Sequence, residues 1–279
     1  MSPFGRARTF LSPASANMRA YRHPLVNPFI SAVGARRALL NGSPFKYNGH
    51  VPTTSLEKVA VAVTSAFVAL SDPKRGDMVA ALGETTGVAA LRTMKSRMES
   101  DVVGRRILSE QPIVTDETVC IHVLASMPPT SFGGLYGAFM RGHGFCPNGR
   151  PKVHFVDDPS LAYVMRRYRE VHDFWHVLNG VPTTVEGEIA LKCVEWAQTG
   201  LPMTALSVLL GPLKLNSGEK RRLVETFLPW AVRNAASADF MLNVYYEEHF
   251  DEPIERLRSK LGIIPAPFDD WVAPNERTG

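Results

Sequence analysis

The sequence predicts an all-α fold built as a single helical domain, and two observations predict it, the helical capping signals and the undivided body. Capping signals open long apolar-periodic runs at Thr54-Ser-Leu-Glu57, Asp158-Pro159 and Thr183-Thr-Val-Glu186. Two short apolar runs, residues 120–124 and 153–156, stay ambiguous between strand and helix. No internal repeat and no linker divides the body of the chain. With 279 residues, 45% apolar and 21% charged side chains, the chain builds a sizeable core, which excludes a mostly disordered or collagen-like protein.

The first capping box opens a helix over residues 59–70, which Asp72-Pro73 stops; this run reads as a buried helix. A short helix is expected over 78–82, and Gly87 precedes another over 88–100. Residues 105–110 form a further short piece before Pro112. Gly133-Gly134 and Gly137-Ala138 place small residues four apart, a spacing that suits close helix contact. Asp158 as N-cap with Pro159 at the first helical position opens the clearest helix, which runs to about Leu178 before Asn179-Gly180. The Thr183–Glu186 box opens the next, to about Thr199, and Gly200 and Pro202 stop it. Residues 201–215 are apolar enough for core or for a membrane interface. Later helices are expected over 218–234, over 237–248 with Ser237 as N-cap, and over 253–261.

Charge is unevenly spread. Residues 1–56 hold seven basic side chains (Arg6, Arg8, Arg19, Arg22, Arg36, Arg37, Lys46) and no Asp or Glu; since the whole chain is +4, the remainder is −3. A slightly acidic body is not a nucleic-acid binder by charge. An Arg-rich, Ser-containing, acid-free start has the composition of a mitochondrial import leader, placed at about residues 1–43, with the helical domain over 44–279. Cleavage is expected between Arg22 and Lys46. No stretch reaches the roughly 18–20 apolar residues that span a bilayer. Cys120, Cys146 and Cys193 are odd in number and without a CxxC pair, which excludes a disulfide scaffold and a cysteine-built zinc site.

The chemistry is concentrated in Tyr168-Arg-Glu-Val-His172-Asp173-Phe-Trp-His176, followed twelve residues later by Glu188. Taking His172 as zero on a helical wheel, His176 lies at about 40°, Arg169 at about 60° and Asp173 at about 100°. Two imidazoles on one face with a carboxylate beside them can reach one metal ion. The short turn over 179–182 folds the next helix back antiparallel, so that Glu188 can face them as a fourth donor. Nitrogen and oxygen donors suit Zn²⁺ and also Fe²⁺. Spacing alone leaves the alternative equally open: hydrogen-bonded core histidines, a solvated Asp173, and a Glu188–Lys192 surface pair. Val185, Ile189, Cys193 and Trp196 form an apolar stripe with Glu188 on its border.

Of Arg166, Arg167 and Arg169, only Arg169 faces with the histidines, where it can receive a substrate carboxylate or phosphate. His122, His143, His154 and His249 have no partner at metal spacing, and Glu247-Glu248-His249 reads as a helix end. There is no P-loop, dinucleotide fingerprint or nucleophile elbow.

His172-Asp173-x-x-His176 with Glu188 after eleven further residues resembles the signature of the ubiquinone (coenzyme Q) biosynthesis protein 4 family. The resemblance extends to Tyr47-x-Gly-His50-Val-Pro, Asp72-Pro73-x-Arg75-Gly-Asp77, Gly83-Glu84-Thr-Thr-Gly87, Arg166-x-Tyr168-Arg169-Glu170 and Glu188…Lys192…Glu195…Gln-Thr-Gly-Leu-Pro202, covering about residues 46–265. It implies an all-α mitochondrial protein, peripheral on the matrix face of the inner membrane, in a complex with other ubiquinone-biosynthesis enzymes. It also implies zinc at His172, Asp173, His176 and Glu188, and removal of the carboxyl group at carbon 1 of a polyprenylated 4-hydroxybenzoate.

The chemistry expected on that basis is metal-assisted decarboxylation of 4-hydroxy-3-methoxy-5-polyprenylbenzoate. The para phenol receives the electron pair once carbon 1 is protonated, and a Lewis-acid cation orients the substrate. Glu195 and Tyr168 are candidate proton donors, and Arg169 a candidate for holding the carboxylate. Redox-active iron would open hydroxylation at the same carbon. The competing reading is a non-catalytic scaffold that binds the polyprenyl tail and gathers the other enzymes. A phosphohydrolase of the HD type fits poorly, since no further separated His and Asp complete its site.

Overall fold

The structure, a computed structural model, describes residues 46–71 and 75–268. The expected import leader and the Asp72-Pro73 stop lie outside the described residues. Within them the chain is helical, with no strand; its one isolated β-bridge joins Ser131 and Pro253. The elements are α1 (Ser55–Ser71), α2 (Gly76–Thr86), α3 (Val88–Ser100), α4 (Val102–Glu110), α5 (Ile121–Leu124), α6 (Phe132–His143), α7 (Pro159–Asn179), α8 (Val185–Thr199) and α9 (Pro202–Leu210). They continue as α10 (Ser217–Arg222), a π-helical turn (Leu223–Phe227), α11 (Leu228–Ser237) and α12 (Ile254–Lys260).

Helix α7 organises the domain. Asp158 caps it as expected, accepting from the Ser160 and Leu161 amides at 2.8 and 3.3 Å. It is buried around most of its circumference although its sequence is rich in charge. Each charged side chain that points inward has a partner. Arg167 ion-pairs with Glu247 at 2.6 Å. Arg169 meets Glu84 at 2.8 Å, and Glu170 accepts from the Val114 amide at 3.1 Å. Burying these groups unpaired would be prohibitive. Between them Phe174 packs edge-on to Tyr136 and Phe132, and Tyr246 tilts against Phe174. The helix ends in a Schellman motif: Gly180 adopts φ 63°, the Val181 amide donates to the His176 carbonyl at 3.0 Å, and the Gly180 amide donates to Val177 at 3.3 Å.

Several expected elements change. The 78–82 piece grows into α2, and 105–110 extends back to Asp101, whose side chain accepts from the Gly104 amide. Residues 121–124 are one helical turn. Residues 153–156 are neither helix nor strand, because the His154 and Phe155 amides donate to the buried Glu84 carboxylate at 2.7 and 2.6 Å and leave no ladder to form. Helix α1 keeps its Thr54–Glu57 capping box but is not a buried helix: Val61 and Ser65 point inward while Leu56, Val59, Val63 and Phe67 are exposed.

The 218–234 helix is interrupted by the π turn immediately before Pro229, which has no amide to donate one turn back. The helix expected over 237–248 does not form. Ser237 ends α11 instead, its hydroxyl donating to the Gly262 carbonyl at 2.8 Å, and 3₁₀ turns follow at Met241–Asn243 and Tyr246–Glu248. Tertiary partners take the backbone groups a helix would have used: the Met241 amide donates to Gln198 Oε1 at 3.1 Å and the Asp239 amide to the Leu261 carbonyl at 2.9 Å. Residues 201–215 divide, with Leu201, Met203 and Leu215 in the core and Leu209 and Leu213 exposed. Among the described residues no helix is long and apolar enough to cross a membrane. The glycines of α6 serve close packing, since a Cβ on Gly137 would lie 2.3 Å from the Ala125 amide nitrogen.

Candidate metal centre

Helices α7 and α8 bring the donors together. Thr184, one residue later than the expected Thr183, caps α8 by accepting from the Gly187 amide at 3.2 Å, and Glu186 leaves for Arg222 at 2.7 Å. Glu188 then meets His176 and His172, while Glu195, two turns on, meets His172 and Tyr168. That register makes the two helices antiparallel, as the short turn predicts. The buried face of α8 is Gly187, Ala190, Leu191, Val194 and Glu195; Val185 and Trp196 of the expected stripe are exposed, and only Ile189 is buried. The difference arises because Glu195 and Gln198 find partners inside and let their face turn inward.

Among the described residues, the group of metal-type donors that converges is His172, His176 and Glu188, with one atom of each within 4.8 Å of the others. His176 Nε2 lies 3.2 Å from Glu188 Oε1, and His172 Nε2 lies 3.8 Å from Glu188 Oε2. The histidines are nearly covered; Glu188, with 38% of its side chain exposed, forms the open side.

Each imidazole is oriented through its far nitrogen. His176 Nδ1 stands 2.9 Å from the Val181 carbonyl, which can only accept, so Nδ1 donates and Nε2 carries its lone pair. The Schellman turn that ends α7 is what returns that carbonyl over the ring. His172 Nδ1 lies 2.5 Å from Glu195 Oε1. Glu195 is fully buried, but the Lys192 ammonium and His172 outweigh burial and hold its carboxyl down at about 2. It is therefore ionised, and His172 Nδ1 donates to it.

The remaining charges follow from the same geometry. Burial, with Lys192 next, pushes the His172 imidazolium below its ordinary range. His176 goes the other way: burial opposes its charge, but Glu188 overrides it. Glu188 in turn is held well below the usual carboxylate range by the two histidines, against its own desolvation.

The other expected site residues are placed differently. Asp173, which the resemblance implies as a ligand, is buried and lies outside the converging group; its carboxylate ion-pairs with Arg150. Its position about 100° round the helix from His172 turns it away from Glu188. Arg169 is buried, its guanidinium meeting Glu84 and donating to the Ala80 carbonyl at 2.9 Å, so its fork is spent on the fold. Tyr168 donates to Glu195, and burial together with that carboxylate raises its hydroxyl well above the ordinary tyrosine range. In this arrangement Glu195 and Tyr168 orient His172. Lys192, which the alternative to a metal site paired with Glu188, donates instead to Glu195 Oε2 at 2.7 Å. Arg150 carries no local signal in the sequence, since its partner lies across the fold.

Two imidazole nitrogens and one carboxylate, with an open side, are the donor set of catalytic zinc sites and of two-histidine, one-carboxylate iron sites. Outer partners on both Nδ1 atoms are the usual support of such ligands. The residues fit a divalent ion held at His172, His176 and Glu188.

Known proteins resemble this chain over most of its length. Residues 47–267 match the family described as "Coenzyme Q (ubiquinone) biosynthesis protein Coq4". "Ubiquinone biosynthesis protein COQ4 homolog, mitochondrial" of Bos taurus is 45% identical over 232 residues, covering 83% of this chain and 88% of the relative. "Ubiquinone biosynthesis protein COQ4, mitochondrial" of Laccaria bicolor is 43% identical over 228 residues, covering 82% and 77%. A crystal structure of a putative ubiquinone biosynthesis protein from Nostoc punctiforme shares the fold, with a TM-score of 0.60 at 19% identity over 73% of this chain and 97% of that one. With a match of this extent and relatives this similar, the chain belongs to the coenzyme Q (ubiquinone) biosynthesis protein Coq4 family.

Proposed function

We propose that this chain acts in ubiquinone biosynthesis as a metal-dependent decarboxylase, removing the carboxyl group from carbon 1 of a 4-hydroxy-3-methoxy-5-polyprenylbenzoate. A role in ubiquinone biosynthesis follows from family membership. The observation that supports the finer reading is the convergence of His172, His176 and Glu188 with both outer Nδ1 atoms tied to acceptors. Relatives named as mitochondrial support a mitochondrial location, and no helix among the described residues is long and apolar enough to cross a membrane; within the proposal the protein sits peripherally on the matrix face of the inner membrane, in a complex with the pathway's other enzymes.

Loss of CO₂ from a benzoate leaves an electron pair on the ring. Protonation of carbon 1 first turns the ring into a dienone-like species, with the para phenol oxygen taking up charge, and cleavage of the carboxyl bond then restores the aromatic ring. A divalent cation, Zn²⁺ or Fe²⁺, supplies Lewis acidity when bound, drawing a substrate carboxylate or phenolate oxygen to the site. The chain's own residues do the rest. His172, His176 and Glu188 would hold the ion, and Asp173, shared with Arg150, adds negative charge beside them. Glu195 keeps His172 in the tautomer that presents Nε2, and Tyr168 and Lys192 keep Glu195 in place. Exchangeable protons at the site's edge sit on Lys192 Nζ and, through Glu195, on Tyr168 Oη.

The test is product formation by purified, metal-analysed protein with a prenylated 4-hydroxy-3-methoxybenzoate. His172→Ala should abolish turnover with the helical spectrum retained; wild-type rates in that variant would remove the reading. The oxygen content of the product separates simple loss of CO₂ from loss coupled to hydroxylation.

A further inference from the structure

Along the first three turns of α7, from Pro159 to Glu170, lies a cavity of about 690 Å³. That is within the roughly 300–1,000 Å³ that small-molecule sites occupy. Four cationic side chains line it, Arg150, Lys152, Arg166 and Arg169, against one carboxylate, Glu170. Three of the cations are matched: Arg169 by Glu84, Arg166 by Glu170 through Nε at 2.6 Å, and Arg150 by Asp173. Lys152 has no ion pair among the described residues, so the chamber carries an uncompensated positive charge. Arg166 meets its carboxylate through Nε, which leaves the other N–H groups of its fork to donate.

The walls have a different character. Tyr47 and Tyr163 line the chamber with their hydroxyls already committed, to the Val156 carbonyl at 2.8 Å and the Pro112 carbonyl at 3.1 Å. Tied off in this way, they offer fixed ring surfaces. A positive interior between rigid aromatic walls recognises a flat anion. Arg150 joins this chamber to the metal centre, since the guanidinium that lines it also pairs with Asp173, the residue next to His172.

We propose that this cavity seats an aromatic carboxylate, with Lys152, Arg166 and Arg150 receiving the carboxylate and Tyr47 and Tyr163 walling the ring. Anion binding here stands on the cavity alone; the choice of a benzoate rests on the function proposed above. Arg169, spent on Glu84 and backbone carbonyls, is not the group that holds the ligand.

The experiment is calorimetric titration of the full chain with 4-hydroxybenzoate, 4-hydroxybenzamide and inorganic phosphate, before and after chelation of metal. The variants are Lys152→Gln and Arg166→Gln, at exposed positions; because Arg166 pairs with the buried Glu170, each variant's helical spectrum and unfolding midpoint are matched to wild type first, and Lys152→Gln, with no ion partner among the described residues, carries the test alone if Arg166→Gln fails to fold. Benzoate should bind, the uncharged amide about tenfold more weakly, and each variant should lose about tenfold for benzoate. Chelation should leave the benzoate dissociation constant within about threefold. Equal benzoate affinity in wild type and both variants overturns the proposal. So does loss of binding on chelation, which puts the ligand's affinity on the metal rather than on the cavity and leaves the preceding reading intact. Phosphate binding as tightly as benzoate, with the same dependence on Lys152, overturns the ligand class. Metal-independent benzoate binding in a protein that proves unable to decarboxylate supports the cavity and removes the preceding reading.

Discussion

The Nε2 atoms of His172 and His176 lie 3.2 Å apart, although both rings have committed their Nδ1 hydrogens elsewhere. Two lone pairs facing each other at that distance repel unless a cation or a proton stands between them. Glu188 adds negative charge at the same point. The arrangement is preorganised for a positive ion.

Metal content is the first consequence. Purified protein should carry about one divalent ion per chain by elemental analysis, and His176→Ala or Glu188→Gln should lose most of it. Binding stabilises only the folded state, so chelation should lower the midpoint of thermal unfolding. At an ion concentration 100 times the dissociation constant, the linkage is worth about 2.7 kcal/mol.

Glu195→Gln should keep the fold but weaken metal binding by about 10–100-fold, the usual cost of losing an outer partner. An amide no longer fixes His172 in one tautomer, and Lys192 loses its counter-ion. Tyr168→Phe should cost less, because Lys192 and His172 still hold the carboxylate. Competition with a chromophoric chelator measures both.

Removing Glu84 should damage the fold more than any change at the metal centre. Its carboxylate is buried and serves Arg169 as well as the His154 and Phe155 amides. Glu84→Ala leaves a buried guanidinium without its counter-ion and two amides without partners, and should cost about 3–5 kcal/mol in denaturant unfolding.

Helix α7 should weaken in acid through its cap. The Ser160 hydroxyl, helped by the Ser160 and Leu161 amides, holds the Asp158 carboxyl below its ordinary value. A depressed pKa contributes stability that is fully present above the unfolded aspartate range, near pH 4, and is lost as pH falls through the lower folded value. Asp158→Ala should cost about 1 kcal/mol at neutral pH, and the gap to wild type should close as pH falls below the unfolded aspartate range. Unfolding of both proteins across pH 2–7 checks it.

Gly137→Ala should destabilise by about 1–3 kcal/mol, because the new methyl meets the Ala125 backbone, which cannot swing aside as a side chain would. The midpoint of urea unfolding reports the loss.

Much of the site was legible before any coordinates. Asp158-Pro159 and Asn179-Gly180 bracket α7 because their signals are local: a side chain reaching its own helix's amides, and a residue free to take positive φ. The four-residue spacing of His172 and His176 follows from helical pitch, and the short turn dictates that Glu188 returns to them. Asp173 was a different matter. Its distance round the wheel was computable, but its diversion to Arg150 needs a residue from a loop more than twenty positions away. Lys192 had carboxylates at both i−4 and i+3, and only the burial of Glu195 made the choice. The failed helix over 237–248 has the same origin, with Gln198 and Leu261 outbidding the segment's own carbonyls.

The amino-acid sequence by itself determined the helical class, the two site helices with their turn, and the facing of His172 and His176 by Glu188, because each depends on interactions within a few residues or on a single short connection. Tertiary structure alone decided which charge faces which. Arg169 closes on Glu84, Arg150 on Asp173 and Glu195 on His172, since a buried ion settles wherever the packed fold brings an opposite charge within reach, and that distance is not written in local spacing.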